Sequence, residues 1–239
     1  CADLSRRFGR TVAAEHNLPV YFYEAAATSP QRRNLADVRK GEYEGLPQKL
    51  QNPSWKPDEG PAVFNPRSGA VITGARKVLI AYNVNLNTPD VAAAHEIALR
   101  IRESGRVLKD DRGNTVRDEQ GQPVKVPGTL KAVKAIGVLL ERHQIAQVSI
   151  NLVDFEITPP HTAFEEVRSQ ARTLGLDATG SEIVGLVPLD ALLAAGRHYG
   201  GESAPSLSEE QLVTLAVQRL GLSHLEPFDP GKKVIEYLI

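Results

Sequence analysis

Apolar residues recur at helical spacing from the first turn of the chain, at Leu4, Phe8 and Val12, and predict a helix over residues 4–16. The run Leu18-Pro-Val-Tyr-Phe-Tyr23, aromatic and β-branched, predicts a strand directly after it. The pattern then breaks down. Residues 25–69 are dense in Pro, Gly and charge, and only residues 35–39 carry a short helical signal. So long a stretch is more than a connector, and Tyr43, Trp55 and Phe64 argue against disorder, which leaves a functional segment as the expectation.

From Gly74 the alternation returns. Residues 75–86 read as one strand with Val78, Ile80, Tyr82 and Val84 on one face, and Thr88-Pro89-Asp90 opens a helix that runs through Ile97, Leu99 and Ile101 to a stop at Gly105. Residues 109–125 are polar and carry two turn signals, which predicts a surface hairpin. Residues 132–141 and 147–155 read as two strands around a turn near His143, residues 162–174 as a helix ended by Gly175, and residues 182–187 as a further strand. The order β-α-β-β-α-β from Arg76 to Val187 predicts an α+β fold of ferredoxin-like type. Short helices at 192–198 and 209–220 and an apolar end at 234–239 complete the chain, and no internal repeat is apparent. The division expected is residues 1–75, the remainder of a similar N-terminal subdomain that includes the Gly/Pro-rich loop, and residues 76–239, a C-terminal subdomain.

Composition narrows the function. Lys plus Arg (28) balances Asp plus Glu (29), and no basic run is interleaved with aromatics, so nucleic acid is not an expected partner. Apolar stretches are too short and too often interrupted for a membrane span. Cys1 is the only cysteine, which rules out an internal disulfide and suits a cytoplasmic protein, and no metal is expected. The absence of Met and the apolar helical spacing from Leu4 onward predict sequence upstream of Cys1.

Candidate chemistry is sparse. The loop Gly60-Pro-Ala-Val-Phe-Asn-Pro-Arg-Ser-Gly69 pairs backbone permissiveness with stiffness, which suits a flat polar heterocycle; an ordinary linker is the other reading. It lacks the Gly-Lys-Ser/Thr ending of a phosphate-binding loop. Among the six histidines, His161 in Thr158-Pro-Pro-His-Thr162 stands where a helix begins and is the least unlikely acid or base. Arg67, Arg76 and Lys77 could bind a carboxylate, and Asp154 and Glu156 sit at a strand end.

Several segments together carry a resemblance. Leu18-Pro-Val-Tyr-Phe-Tyr-Glu-Ala-Ala26, Asp58-Glu-Gly-Pro61, Gly74-Ala-Arg-Lys-Val-Leu-Ile-Ala-Tyr-Asn-Val-Asn-Leu86, Gly180-Ser-Glu-Ile-Val-Gly-Leu-Val-Pro-Leu189 and Val234-Ile-Glu-Tyr-Leu238 resemble, in order, the glutamate formimidoyltransferases. The resemblance implies transfer of a formimidoyl group from N-formimidoyl-L-glutamate to tetrahydrofolate as co-substrate, in histidine breakdown and one-carbon metabolism. It implies two ferredoxin-like subdomains with the folate between them, and a homodimer.

Carried over by position, the folate-binding residues are Gly60, Pro61, Ala62, Val63, Phe64, Asn65, Pro66, Arg67, Ser68 and Gly69, with a second contact at Gly128. The family's catalytic His is expected upstream of Cys1, so no residue here takes a catalytic role. Ser68 also stands where some relatives have an aromatic. The alternative expectation is a non-catalytic folate-binding module or an inactive fragment.

Overall fold

The computed structural model describes residues 1–239. They form two compact units, Cys1–Lys77 and Val78–Ile239.

In the first unit, helix α1 (Ala2–His16) leads into strand β1 (Val20–Glu24), which pairs in parallel with β2 (Val71–Ala75). Side chains alternate across a strand, so this small sheet has two apolar faces. Val20 and Phe22 pack with Ala13 of α1. Tyr21 points the other way, into a cluster with Val38, Leu46 and Leu50. The latter three belong to α2 (Leu35–Arg39) and α3 (Glu42–Gln51). Helix α1 lies close to the strands because Gly9 has no side chain; a Cβ there would meet the Phe22 ring at 2.5 Å.

Helix α3 is an element that periodicity did not reveal. Gly45 and Pro47 lie inside it and depress helical propensity, while packing of Leu46 and Leu50 against Tyr21 compensates. The expected single strand over 75–86 is also corrected: it is two strands, β2 in the first unit and β3 (Ile80–Leu86) in the second. Between them run Arg76, Lys77 and Val78, exposed or at the surface, where the chain leaves one core for another.

The second unit continues with α4 (Val91–Ile101), the two-residue strands β4 (Arg106–Val107) and β5 (Lys125–Val126), β6 (Val133–Leu140), β7 (Ile145–Leu152), α5 (Pro160–Thr173) and β8 (Ala178–Val184). Asp90 caps α4 by accepting from Ala92 N and Ala93 N. The four-stranded sheet has the order β6-β7-β3-β8, and every neighbour is antiparallel. Helix α4 packs on β6 and β7, and α5 on β3 and β8. Ile80, Tyr82, Val84, Val148, Ile150 and Leu152 supply the sheet's side of the core. The architecture is α+β.

Strand β8 begins at Ala178 and ends at Val184, earlier than the expected 182–187. Its first half, Ala-Thr-Gly-Ser, lacks bulky apolar residues and so escapes pattern reading. Val187 instead makes a separate parallel bridge to Val234, which ties down the end of the chain. Helices α6 (Leu189–Gly200), α7 (Glu209–Arg219) and the short α8 (Pro230–Lys233) follow. Helices α6 and α7 meet backbone to backbone at Gly196, where a Cβ would stand 2.3 Å from the Leu212 carbonyl oxygen.

The polar segment 109–125 contains a repeat, contrary to expectation. Lys109-Asp-Asp-Arg-Gly-Asn-Thr-Val116 and Arg117-Asp-Glu-Gln-Gly-Gln-Pro-Val124 are two copies of one pattern. In each, the aspartate carboxylate folds the turn: Asp110 accepts from Arg112 N and Asn114 N, and Asp118 from Gln120 N and Gln122 N. Leu108, Val116 and Val124 close a ring of backbone bonds, Leu108 N to Val124 O, Val124 N to Val116 O and Val116 N to Leu108 O, at 2.8 to 2.9 Å. Mixed polar and charged letters at the variable positions conceal the repeat in the sequence.

Candidate functional site

The loop at 60–69 is held at both ends by backbone hydrogen bonds. At its start, Val20 N donates to Glu59 O and Asp58 N donates back to Val20 O, each at 2.9 Å. Gly60 has φ 79°, and a Cβ there would stand 2.1 Å from the Leu18 carbonyl oxygen. Glycine at this position is thus demanded by the chain's own packing. At the other end Gly69 has φ 63°, and its N–H donates to Asn65 O at 2.8 Å. The Asn65 side chain accepts from Arg67 N and Ser68 N at 2.9 and 3.1 Å, which closes the tip as an Asx turn.

Helix α3 holds this tip from the side. The Tyr43 hydroxyl donates to Pro66 O at 2.8 Å, and its ring lies 5.3 Å from that of Phe64 at a tilt of 57°. Beneath the contact is a cavity of about 190 Å3. Ser68 and Gly69 form its loop-side wall, with Tyr43, Leu46, Lys49 and Ile72 opposite. The other loop residues named from the resemblance, Gly60, Pro61, Ala62, Val63, Phe64, Asn65, Pro66 and Arg67, do not line this cavity. Pockets for drug-sized ligands run to about 300–1,000 Å3, so the space suits one ring system rather than an entire folate.

The cavity is bordered by charges of both signs, Lys49 and Arg39 with Glu42. Lys49 donates to Val38 O at 2.5 Å and stands 4.5 Å over the Trp55 ring. Burial holds its pKa below the usual lysine value, Asp37 pulling the other way. At the rim, Arg39 pairs with Glu42 at 3.1 Å. Tyr21, on the cavity floor, donates to Trp55 O at 2.8 Å; burial pushes its pKa up to about 12, against the opposing Arg32. The phenol therefore stays protonated at neutral pH. None of Tyr43, Lys49, Arg39 and Glu42 is assigned a role from the sequence, although Tyr43 stands out there as an aromatic within a charged stretch.

Gly128 lies in the second unit, where the chain runs back along the end of α4. A Cβ there would stand 2.0 Å from the Arg102 carbonyl oxygen, and Thr129 N and Leu130 N donate to Arg100 O and Ile101 O. Its glycine, like that at position 60, has a reason internal to the fold.

The remaining sequence candidates scatter. His161, at the start of α5, stacks on His198 of α6 with centroids 4.5 Å apart and planes 21° from parallel. Its Nδ1 is buried without a partner, and burial, reinforced by His198, lowers its pKa to about 4. Asp154 accepts from Glu156 N in a turn after β7.

One polar cluster has no precedent in the sequence reading. On the sheet face away from α4 and α5, register places Asn83 beside Glu182 and Asn85 beside Gln147. Asn83 Nδ2 donates to Glu182 Oε1 at 2.8 Å, and Gln147 Nε2 donates to Asn85 Oδ1 at 2.6 Å and to Glu182 Oε1 at 3.4 Å. Asn85 and Gln147 are buried, and Asn85 Nδ2 has no acceptor.

The chain is thus an α+β protein with an aromatic-flanked loop beside a cavity bordered by Arg39, Glu42 and Lys49, and comparison with known proteins makes its class specific. The family model described as "Formiminotransferase domain" matches residues 81–239, and "Formiminotransferase domain, N-terminal subdomain" matches residues 1–76. This chain belongs to the formiminotransferase family. It is 48% identical over 240 residues to the formimidoyltransferase-cyclodeaminase of Mus musculus, covering all of this chain and 41% of that protein. The formimidoyltransferase-cyclodeaminase of Dictyostelium discoideum is 45% identical over 241 residues, again across the whole chain and 42% of the relative. The glutamate formimidoyltransferase of Streptococcus pyogenes serotype M1 is 39% identical over 199 residues, 83% of this chain and 59% of the relative. The chain spans less than half the length of the first two relatives.

Proposed function

We propose that the protein carrying this chain transfers a formimidoyl group from N-formimidoyl-L-glutamate to tetrahydrofolate. The carbon of the formimidoyl group leaves the amino nitrogen of glutamate and bonds to N5 of the folate, while the N5 proton ends on the glutamate amine. Membership of the formiminotransferase family, matched along both units, is the observation that carries this reading.

The role assigned to residues 1–239 is to bind the folate. The aromatic pair Tyr43 and Phe64 and the cavity beside Ser68 and Gly69 suit a pterin, and Lys49 and Arg39 suit its glutamyl tail. Gly60 to Arg67 would then act mainly by holding that wall, with Gly128 a further contact in the second unit. No residue here is assigned as the proton acceptor at N5. In the second unit, the element order β-α-β-β-α-β with sheet order β6-β7-β3-β8 supports a ferredoxin-like arrangement. Residues 1–75 and 76–239 would be the N- and C-terminal parts of the transferase. A homodimer and a cytoplasmic location belong to the same reading and rest on the resemblance; no helix is long and apolar enough to cross a membrane.

The experiment is a transfer assay on the full-length protein, following loss of formimidoylglutamate and gain of 5-formimidoyltetrahydrofolate. Turnover dependent on both compounds is the expected result. A folded protein that binds neither would overturn the reading.

A further inference from the structure

Residues 106–126 hold a defined shape without a core of their own. Two aspartate-folded turns and the ring joining Leu108, Val116 and Val124 make a junction of three short ladders: Arg106–Val107 against Lys125–Val126, Lys109 against Thr115, and Arg117 against Pro123. Exposed loop tips are ordinarily mobile, so so full a set of backbone bonds asks for a reason outside the fold. Recognition supplies one, because a surface ordered beforehand costs less to bind.

Side chains alternate along each ladder, so the ring residues share one face and their neighbours Val107, Lys109, Thr115, Arg117, Pro123 and Lys125 share the other. All six neighbours are exposed, whereas Val116 and Val124 are half-buried. Cations alternate with uncharged residues around the junction: Lys109, Arg117 and Lys125 each follow a ring residue, and Val107, Thr115 and Pro123 each precede one. No acidic residue adjoins the ring on this face. Lys109 and Lys125 pair with no carboxylate, and Arg117 donates to Gly121 O at 2.7 Å.

The same unit carries the complement. Glu209 and Glu210 open α7, and the Tyr237 hydroxyl donates to Glu209 Oε1 at 3.0 Å. Desolvation, the bond to Glu209 and the charges of Glu209, Glu210 and Glu236 together hold this phenol above its ordinary pKa, which gathers the three carboxylates around it. Tyr237 and its neighbour Leu238 are exposed. An apolar centre with an acidic rim thus matches a face on which Val107 and Pro123 lie among cations.

We propose that the cationic face of the 106–126 arm seats on the Glu209, Glu210 and Glu236 patch of a second copy of this chain, each arm on the other's patch about a two-fold axis. Six residues are few against the roughly 20–30 per partner of a stable interface, so a single seating is transient. Reciprocal seating doubles the contact and closes at two copies, whereas one-way seating would continue into a filament. The proposal goes beyond the transferase reading and does not depend on it.

The test is sedimentation velocity on the full-length protein, with circular dichroism to check the folding of each variant. A dimer is expected that loosens as salt rises from about 0.05 to about 0.5 M, since exposed charges are screened. Lys109→Glu with Lys125→Glu should weaken it at least about tenfold, and so should Glu209→Lys with Glu210→Lys, because each sets like charges face to face. An equimolar mixture of the two double variants should recover the dimer, both seatings again joining unlike charges. Where a reversal unfolds the protein, the neutral pairs Lys109→Ser with Lys125→Ser and Glu209→Gln with Glu210→Gln take its place, and they should loosen the dimer and reduce its salt dependence. A dimer indifferent to salt and to both reversals, a mixture that stays apart, or growth beyond two copies would each overturn the proposal. So would a monomer at every concentration, which leaves the face to an acidic partner of another kind.

Discussion

Arg32 and Asp58 form an ion pair at 2.5 Å with side chains only 8% and 4% exposed. Asp58 also accepts from Phe22 N at 2.8 Å and from the Thr28 hydroxyl, while Arg32 donates to Lys56 O at 2.6 Å. One carboxylate therefore joins strand β1, the turn after it and the segment entering the 60–69 loop. Removing one partner of a buried pair leaves the other uncompensated. Asp58→Ala should cost about 3–5 kcal/mol of stability, measured by urea unfolding. A loss under about 1 kcal/mol, the value of an exposed pair, would show that the site is wetter than its burial implies.

The Tyr43 hydroxyl tethers the loop at Pro66, and its ring meets Phe64. Tyr43→Phe removes only the tether and should weaken reduced-folate binding severalfold, in line with about 0.5–1.5 kcal/mol for one hydrogen bond. Tyr43→Ala also removes the ring and should weaken it further, by about another 0.5–1.5 kcal/mol. Equal affinities for wild type and Tyr43→Ala in a fluorescence titration would place the folate elsewhere.

Gly128 touches the backbone of Arg102 so closely that any side chain must move the chain. Gly128→Ala should lower stability of the ligand-free protein by about 1–3 kcal/mol, the usual range for overpacking. A glycine kept solely to admit a ligand would behave differently. Its substitution would spare the melting temperature of the free protein and reduce folate affinity alone.

His161 keeps a pKa near 4 in the fold against 6.5 as its ordinary value, because burial and His198 disfavour the cation more than Glu165 favours it. As pH falls below 6.5 the unfolded chain takes up this proton first, so stability declines between pH 6.5 and about 4 and is unaffected by this group above that window. His161→Phe should flatten that part of the profile. Unfolding free energies at pH 7.5, 5.5 and 4.5 that decline equally in both proteins would refute the assignment.

The second unit was legible where burial is one-sided. Strand β7 and helix α4 alternate apolar and polar residues with the period of their element, and β6 is a short β-branched and apolar run, so their positions follow from pattern alone. Helix α3 was not, because Gly45 and Pro47 mask it and only the packing of Leu46 and Leu50 reveals why it forms. The break between β2 and β3 was hidden for the opposite reason: Val78 continues the alternation although it is exposed. At the site, sequence position drew attention to the loop but not to the wall facing it, since Tyr43 and Lys49 are brought there by tertiary packing. The cluster around Glu182 was invisible, because it depends on register between strands separated by as many as 99 residues.

The ring of bonds joining Leu108, Val116 and Val124 constrains how this arm can change over evolutionary time. Leu108 precedes the first eight-letter copy and Val116 and Val124 end the two copies, so excising residues 109–116 would bring Leu108 directly before Arg117 and leave an ordinary hairpin with its turn chemistry intact. Deleting only part of a copy would shift the ring positions or unseat an aspartate from its turn. Length variation in this arm among descendants should therefore come in whole copies, like links removed from a chain.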